Sequence, residues 1–331
     1  MHFMFSRSYQ RCSFWVAVLF IGILFFTVFY SCGGHTQEST PVAKDTLVEY
    51  QPQDTSSLKD DAYGALVKYG AKLMQNTAYY IGPKGTQGRY LGNEMTCTNC
   101  HLDRGAKTFG NSLYTTHKAY PQFRARENRV LTIADRVNNC IERPHSGIPL
   151  PLDSKEMLAF VTYIQWLGKD YDETMHYGHG IKTIDYKGKQ SNPEAGALVY
   201  EKHCKSCHMA DGQGVFDSTR SAYVNPPLWG KYSYQEGSSM HRVIKSASFI
   251  YHNMPRTVTW DKPVLTVQEA LDVAGFVNSY LIHERPKGKD PNYPDIRFKP
   301  IDYFRGPYND TFSAYQHTFG PWEAIEAAAK K

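Results

Sequence analysis

The chain has 331 residues, with 37 Lys+Arg against 32 Asp+Glu and a formal net charge of +5. That length suggests about two domains on a prior of ~150 residues each, and 41% hydrophobic with 21% charged residues excludes bulk disorder. The positive charge forms no dense Lys/Arg stripe and accompanies no nucleic-acid motif, so nucleic-acid binding is excluded. Seven cysteines, at 12, 32, 97, 100, 140, 204 and 207, are an odd number, which argues against a simple disulfide framework.

Residues 1–31 predict export. Arg7 and Arg11 precede a 17-residue apolar run from Phe14 to Tyr30, broken only by Gly22 and Thr27. A basic start and an apolar core are the signature of an export signal. Ser31-Cys32-Gly33-Gly34 follows, similar to a bacterial lipoprotein cleavage site, with lipid on the Cys32 sulfur. The alternative is an uncleaved span with an incidental cysteine. Either way the remainder lies outside the cytoplasm, on the periplasmic side of a membrane, because Arg7 and Arg11 favour the inside. Residues 32–60 are polar and read as a flexible tether.

Ala62, Leu66, Val67, Tyr69, Leu73 and Met74 recur at helical spacing. A loop with Gly82, Pro83, Gly85 and Gly88 leads to Cys97-Thr98-Asn99-Cys100-His101. Further on, Asn192 can cap a helix with Pro193 in its first turn, running directly into Cys204-Lys205-Ser206-Cys207-His208. Both motifs read C-x-x-C-H, the attachment signature of c-type haem. Two thiols reach the two vinyl groups of one haem, and the adjacent His binds iron. A zinc site or redox dithiol is the weaker reading, because a thioredoxin-like βαβ context is absent and zinc sites rarely fix a His directly after the second Cys. Two covalently bound haem c groups are therefore expected, held by Cys97, Cys100 and His101 and by Cys204, Cys207 and His208.

Each half closes with an amphipathic helix. Asp153 with Glu156 reads as a capping box before Met157, Leu158, Val161, Ile164 and Leu167, with Met157 in the core. Thr266 with Glu269 does the same before Ala270, Leu271, Ala274, Val277 and Leu281. Gly64-Ala65-Leu66-Val67 and Gly196-Ala197-Leu198-Val199 repeat. Strand alternation is nearly absent. The fold class is all-α: two class I cytochrome c domains in tandem with long loops, at 61–180 and 181–285. A C-terminal extension, 286–331, reads as a strap with no chemistry of its own.

The second axial ligands differ between halves. Asn253-Met254-Pro255 offers a thioether to the second iron, with Met240 and His252 as competitors; His/Met ligation raises the potential. The first half has no such pair but has Cys140, flanked by Arg136 and Arg143 and joined by Arg126. Cations favour the thiolate, which is both metal ligand and nucleophile. Thiolate ligation lowers the haem potential, and guanidinium forks hold oxyanions.

From about residue 61 onward the chain resembles the dihaem thiosulfate dehydrogenases, whose first domain is related to the catalytic cytochrome of the Sox sulfur-oxidation system. The resemblance rests on Cys97 to Asp103, Tyr120-Pro121, Arg126, Arg136 through Arg143, Asp153 to Met157, Pro226 to Gly230, Phe249 to Pro255, and His317, Gly320 and Pro321. It implies oxidation of two thiosulfates to tetrathionate, or the reverse, with Cys140 as axial thiolate and Arg126 and Arg136 on the substrate. An external cytochrome or membrane carrier would take the electrons. Pro144-His145-Ser146-Gly147 departs from the family's usual Ser, Met or Leu, then Asn-Gly, and His145 reads as a surface residue. The rival readings are a dihaem electron carrier without substrate chemistry and a Sox-type cytochrome that conjugates thiosulfate to a carrier protein.

Overall fold

The computed structural model describes residues 47–288 and 292–329. The export segment, the lipid site at Cys32 and the start of the tether fall outside them. Among the described residues no helix is long and apolar enough to cross a membrane.

The elements in chain order are α1 (Ala62–Gln75), α2 (Thr77–Ile81), α3 (Thr116–Ala119), β1 (Gln122–Arg124), β2 (Arg129–Leu131), α4 (Ile133–Glu142), α5 (Lys155–Leu167), α6 (Pro193–His203), α7 (Lys205–His208), β3 (Val215–Asp217), β4 (Ala222–Asn225), α8 (Val243–Asn253), α9 (Val267–Asn278), α10 (Ala314–Phe319) and α11 (Glu323–Ala329). The architecture is mostly helical, with two short antiparallel hairpins, β1–β2 and β3–β4. These hairpins qualify the all-α reading, in which strand alternation is nearly absent. At three or four residues per strand, neither is long enough to show a clear alternation in sequence.

Two helix crossings organise the cores. In the first, α1 packs on α5 around Val67, Leu73, Phe160, Tyr163 and Leu167. In the second, α6 packs on α9 around Tyr200, Leu271, Val273, Ala274 and Val277, closed by Trp322 of the tail. A glycine permits each close approach. A Cβ at Gly70 would lie 2.2 Å from the Ala159 carbonyl, and one at Gly196 would lie 2.0 Å from the Asp272 carbonyl. The literal repeat therefore pairs the wrong glycines. Gly64 meets the Lys59 backbone at the start of α1, and Gly70 is the one at the crossing. A third cluster, Met95, Leu102, Tyr234, Met240 and Phe249, draws on both halves.

Local signals set the helix ends. Asn192 accepts from the Glu194 and Ala195 amides, and Thr266 and Glu269 form the expected capping box. At α5 the cap is Ser154, whose Oγ accepts from the Met157 amide at 3.2 Å, in place of the predicted Asp153–Glu156 box. Glu156 is otherwise engaged: it accepts the Tyr69 hydroxyl at 2.7 Å and ties α5 to α1.

The tether does not extend to residue 60. Tyr50 is 4% exposed, donates to the Leu167 carbonyl at 2.8 Å and packs on Tyr114, while Val48 bridges to Tyr177. A polar average hid one aromatic anchor, whose burial outweighs the flexibility of its neighbours.

Candidate active site and haem pockets

The two C-x-x-C-H motifs share one local geometry. His101 Nδ1 lies 2.7 Å from the Asn111 carbonyl, and His208 Nδ1 lies 2.9 Å from the Pro226 carbonyl. A carbonyl can only accept, so each Nδ1 carries the proton and Nε2 keeps its lone pair for a metal. The thiols of Cys97, Cys100 and Cys204 are pushed up to about 12 by burial, so they sit in apolar surroundings as neutral groups.

Around the second motif lies an apolar cavity. Cys204, Cys207 and His208 line it together with Phe249, Met240 and Met254. Met254 enters from the C-cap of α8. Both methionines therefore face this space. His252 is not in its lining; it is turned to the Trp260 carbonyl at 2.9 Å. Cys100 of the first motif also lines this cavity. Met157 is buried in the first core, as expected.

Around the first motif the chemistry is different. Cys140 sits in α4, one turn after Arg136, and Arg136 Nη1 lies 3.3 Å from the Cys140 sulfur. His101 lies close to the same sulfur. Burial alone would raise the thiol pKa, but Arg136 above all, with Arg143 behind it, overcomes that and brings it down to about 6. The thiolate is thus the resting form near neutral pH. The helix is held firmly beneath it. Thr132 and Asp135 form a capping box, and buried Asn138 clamps the Leu150 backbone, donating at 3.0 Å and accepting at 2.8 Å.

Beside Arg136 opens a polar cavity of about 440 Å³. Arg124, Arg126, Arg136 and Arg143 of the first half line it, facing Arg242 and Lys245 of α8 and its approach. Arg126 donates to the Gly237 carbonyl at 2.6 Å and to the Tyr293 hydroxyl at 3.2 Å, and its guanidinium stacks over the Tyr293 ring. Arg126 and Arg136 thus line one cavity, and Arg136 joins it to the Cys140 sulfur. Arg124, Arg242, Lys245 and Tyr293 were not predicted. No local signal marks them, because the cavity is built from segments more than 100 residues apart. Tyr293 also corrects the strap: its 286–331 segment supplies a wall of this site, and its Asp302 pairs with Arg242 at 2.6 Å.

His145 is corrected too. It is 4% exposed, with Nδ1 3.2 Å from Asn93 Oδ1, and burial lowers its pKa to about 4. The Gly92 amide donates to its carbonyl at 2.8 Å, and Asn93 Nδ2 donates to the Pro144 carbonyl at 3.0 Å. The turn after α4 folds inward onto the long loop before the motif, which carries this polar side chain into the interior.

Comparison with known proteins agrees with this division. Residues 89–171 match the SoxA/TsdA cytochrome c domain, and residues 193–280 match the cytochrome c family. The chain is 32% identical over 253 residues to the thiosulfate dehydrogenase of Thiomonas intermedia, covering 76% of this chain and 75% of that one. It is 34% identical over 249 residues to that of Stutzerimonas stutzeri, covering 72% and 73%. The chain belongs to the thiosulfate dehydrogenase family. The solved thiosulfate dehydrogenase TsdBA of Marichromatium purpuratum, in its as-isolated form, superposes with a TM-score of 0.67 at 30% identity over 80% of this chain. The chain spans 55% of that longer protein. Like its family, the chain carries two covalently bound haem c groups, one per cytochrome domain. The oriented imidazoles, the paired thiols and the methionine sulfurs lining the second cavity fit that cofactor.

Proposed function

We propose that the protein couples two thiosulfate dianions into tetrathionate, or runs the reverse, at Cys140. The observation that carries this is one lowered thiol, 3.3 Å from Arg136, beside a cavity walled by guanidinium groups. The curated thiosulfate dehydrogenases at 31–34% identity support it. A bare electron carrier needs neither feature.

His101 and Cys140 would hold the first haem, and His208 and Met254 the second, with Cys97, Cys100, Cys204 and Cys207 as the covalent links. Bound haems would supply one-electron acceptors, and thiolate ligation would set the first at the lower potential. Arg126 and Arg136 fix the sulfonate of the first thiosulfate, so that its terminal sulfur faces Cys140. The Cys140 thiolate and that sulfur form a disulfide bond, two electrons leave, and the adduct is Cys–S–S–SO₃⁻. The terminal sulfur of a second thiosulfate attacks the central sulfur of the adduct. Tetrathionate departs, and the Cys140 thiolate is restored. The arginines offset the repulsion between two dianions, which would otherwise oppose their meeting. Electrons pass on to an external cytochrome or membrane carrier. Export through residues 1–31, with retention at the membrane by lipid on Cys32, completes the proposal; labelled lipid on wild type but not on Cys32→Ala checks it.

The test is Cys140→Ala. Both haems should remain attached, while thiosulfate oxidation falls by at least about 10³-fold. In the wild type, limiting thiosulfate should add the mass of one thiosulfate to the peptide containing Cys140. Full activity of the variant overturns the reading.

A further inference from the structure

The cavity beside Cys140 holds more positive charge than one thiosulfate requires. Six cationic side chains line it, and two acids neutralise part of that charge. Arg143 pairs with Glu127, and Arg242 pairs with Asp302. Arg136, beside the Cys140 sulfur, and Arg126, positioned by Gly237 and Tyr293, are the anchors of the first sulfonate. That leaves Arg124 and Lys245. Arg124 reaches only Gln122, at 3.4 Å, and neither residue has an ion-pair partner among the described residues. They come from different domains: Arg124 ends β1, and Lys245 lies in the first turn of α8. Lys245 is half-buried within the field of Arg242, Arg136 and Arg124, and its pKa is lowered by burial first and by those cations next, against a raising influence of Asp302. A cation so placed is costly unless an anion shares the space.

We infer that Lys245 and Arg124 form a second sulfonate subsite, which holds the incoming thiosulfate or the distal sulfonate of tetrathionate. The inference rests on the proposed function and adds the position of the second substrate. Six cations, less the carboxylates of Glu127 and Asp302 and the Cys140 thiolate, leave a surplus of three, more than one thiosulfate dianion offsets. The first sulfonate lies by Arg126 and Arg136 next to the nucleophile. The second lies across the cavity, on the wall that the second domain supplies. Reaction between the two then joins sulfur atoms between the subsites, and the electron count of the reaction does not change.

The assignment separates two half-reactions. Adduct formation on Cys140 needs one thiosulfate, whereas release of tetrathionate needs both subsites. In the haem-loaded protein, Lys245→Gln should form the adduct from limiting thiosulfate within about twofold of wild type, by mass. It should need about 10- to 100-fold more thiosulfate to discharge that adduct, which is the loss of one charge-assisted hydrogen bond. Tetrathionate affinity, measured calorimetrically on oxidised protein carrying Cys140→Ala, should fall by the same factor. Lys245→Arg should recover most of the loss, and Arg124→Gln should reproduce it in part.

Tetrathionate affinity and adduct discharge within twofold of wild type in Lys245→Gln overturn the inference. Equal loss in both half-reactions overturns it as well, since Lys245 would then act on the first site. A shifted haem potential with unchanged tetrathionate affinity makes Lys245 a partner of a haem propionate and also overturns it. If the parent protein forms no Cys140 adduct and binds neither anion, the reading of the function fails, and the subsite fails with it.

Discussion

The two cytochrome domains begin alike and end differently. Each sets a histidine by an Nδ1 bond to a loop carbonyl, and each crosses two helices at a glycine. On the far side of the histidine the first domain places a thiol one helical turn from a guanidinium, and the second places methionines among apolar side chains. On the proposed function, a shared scaffold carries either substrate chemistry or electron storage, according to what one helix brings to the pocket. In the first domain that helix is α4, in the second α8.

Four perturbations would break or sharpen this contrast. The largest effect belongs to Arg136→Gln. It removes the cation against a half-buried sulfur and one substrate anchor, so kcat/KM for thiosulfate should fall by about 10²–10³-fold with both haems still attached. A fall below tenfold would mean that Arg136 does not set the site. Asn138→Ala removes two hydrogen bonds at a site 9% exposed beneath α4. It should destabilise the fold by about 2–4 kcal/mol and lower the melting temperature accordingly. Met254→Leu should lower the potential of the second haem and abolish the thioether-to-iron absorption, with the first haem unchanged in spectroelectrochemistry. Persistence of that absorption would transfer the role to Met240. The smallest effect is Thr266→Ala at the α9 cap, about 1 kcal/mol in denaturant unfolding without change in substrate kinetics.

What could be read from the sequence was what a short stretch of chain dictates. The haem motifs, the caps at Asn192 and Thr266, and the i, i+4 pair of Arg136 and Cys140 each depend on neighbours a few residues away. Their geometry follows from helix periodicity alone. The cationic cavity could not be read this way. Lys245 stands in an ordinary helix and Tyr293 in a Pro-rich tail, and only the packing of the chain brings them against Arg126 and Arg136. His145 shows the opposite failure. Its polarity suggested the surface, but the Gly92 and Asn93 bonds to its turn draw it inside. Asp153 and Ser154 compete for the same cap; Ser154 takes it, and Glu156 turns to Tyr69. Composition was least informative for 47–60, where one buried tyrosine overrides a polar average.

Cys100 belongs to the first haem motif yet lines the cavity of the second. The attachment point of one haem thus borders the space around the other motif. Joining two thiosulfates releases an electron pair, whereas each iron can store only one. A common wall would let the pair divide between the two sites, so that a two-electron reaction could be drained in single-electron steps.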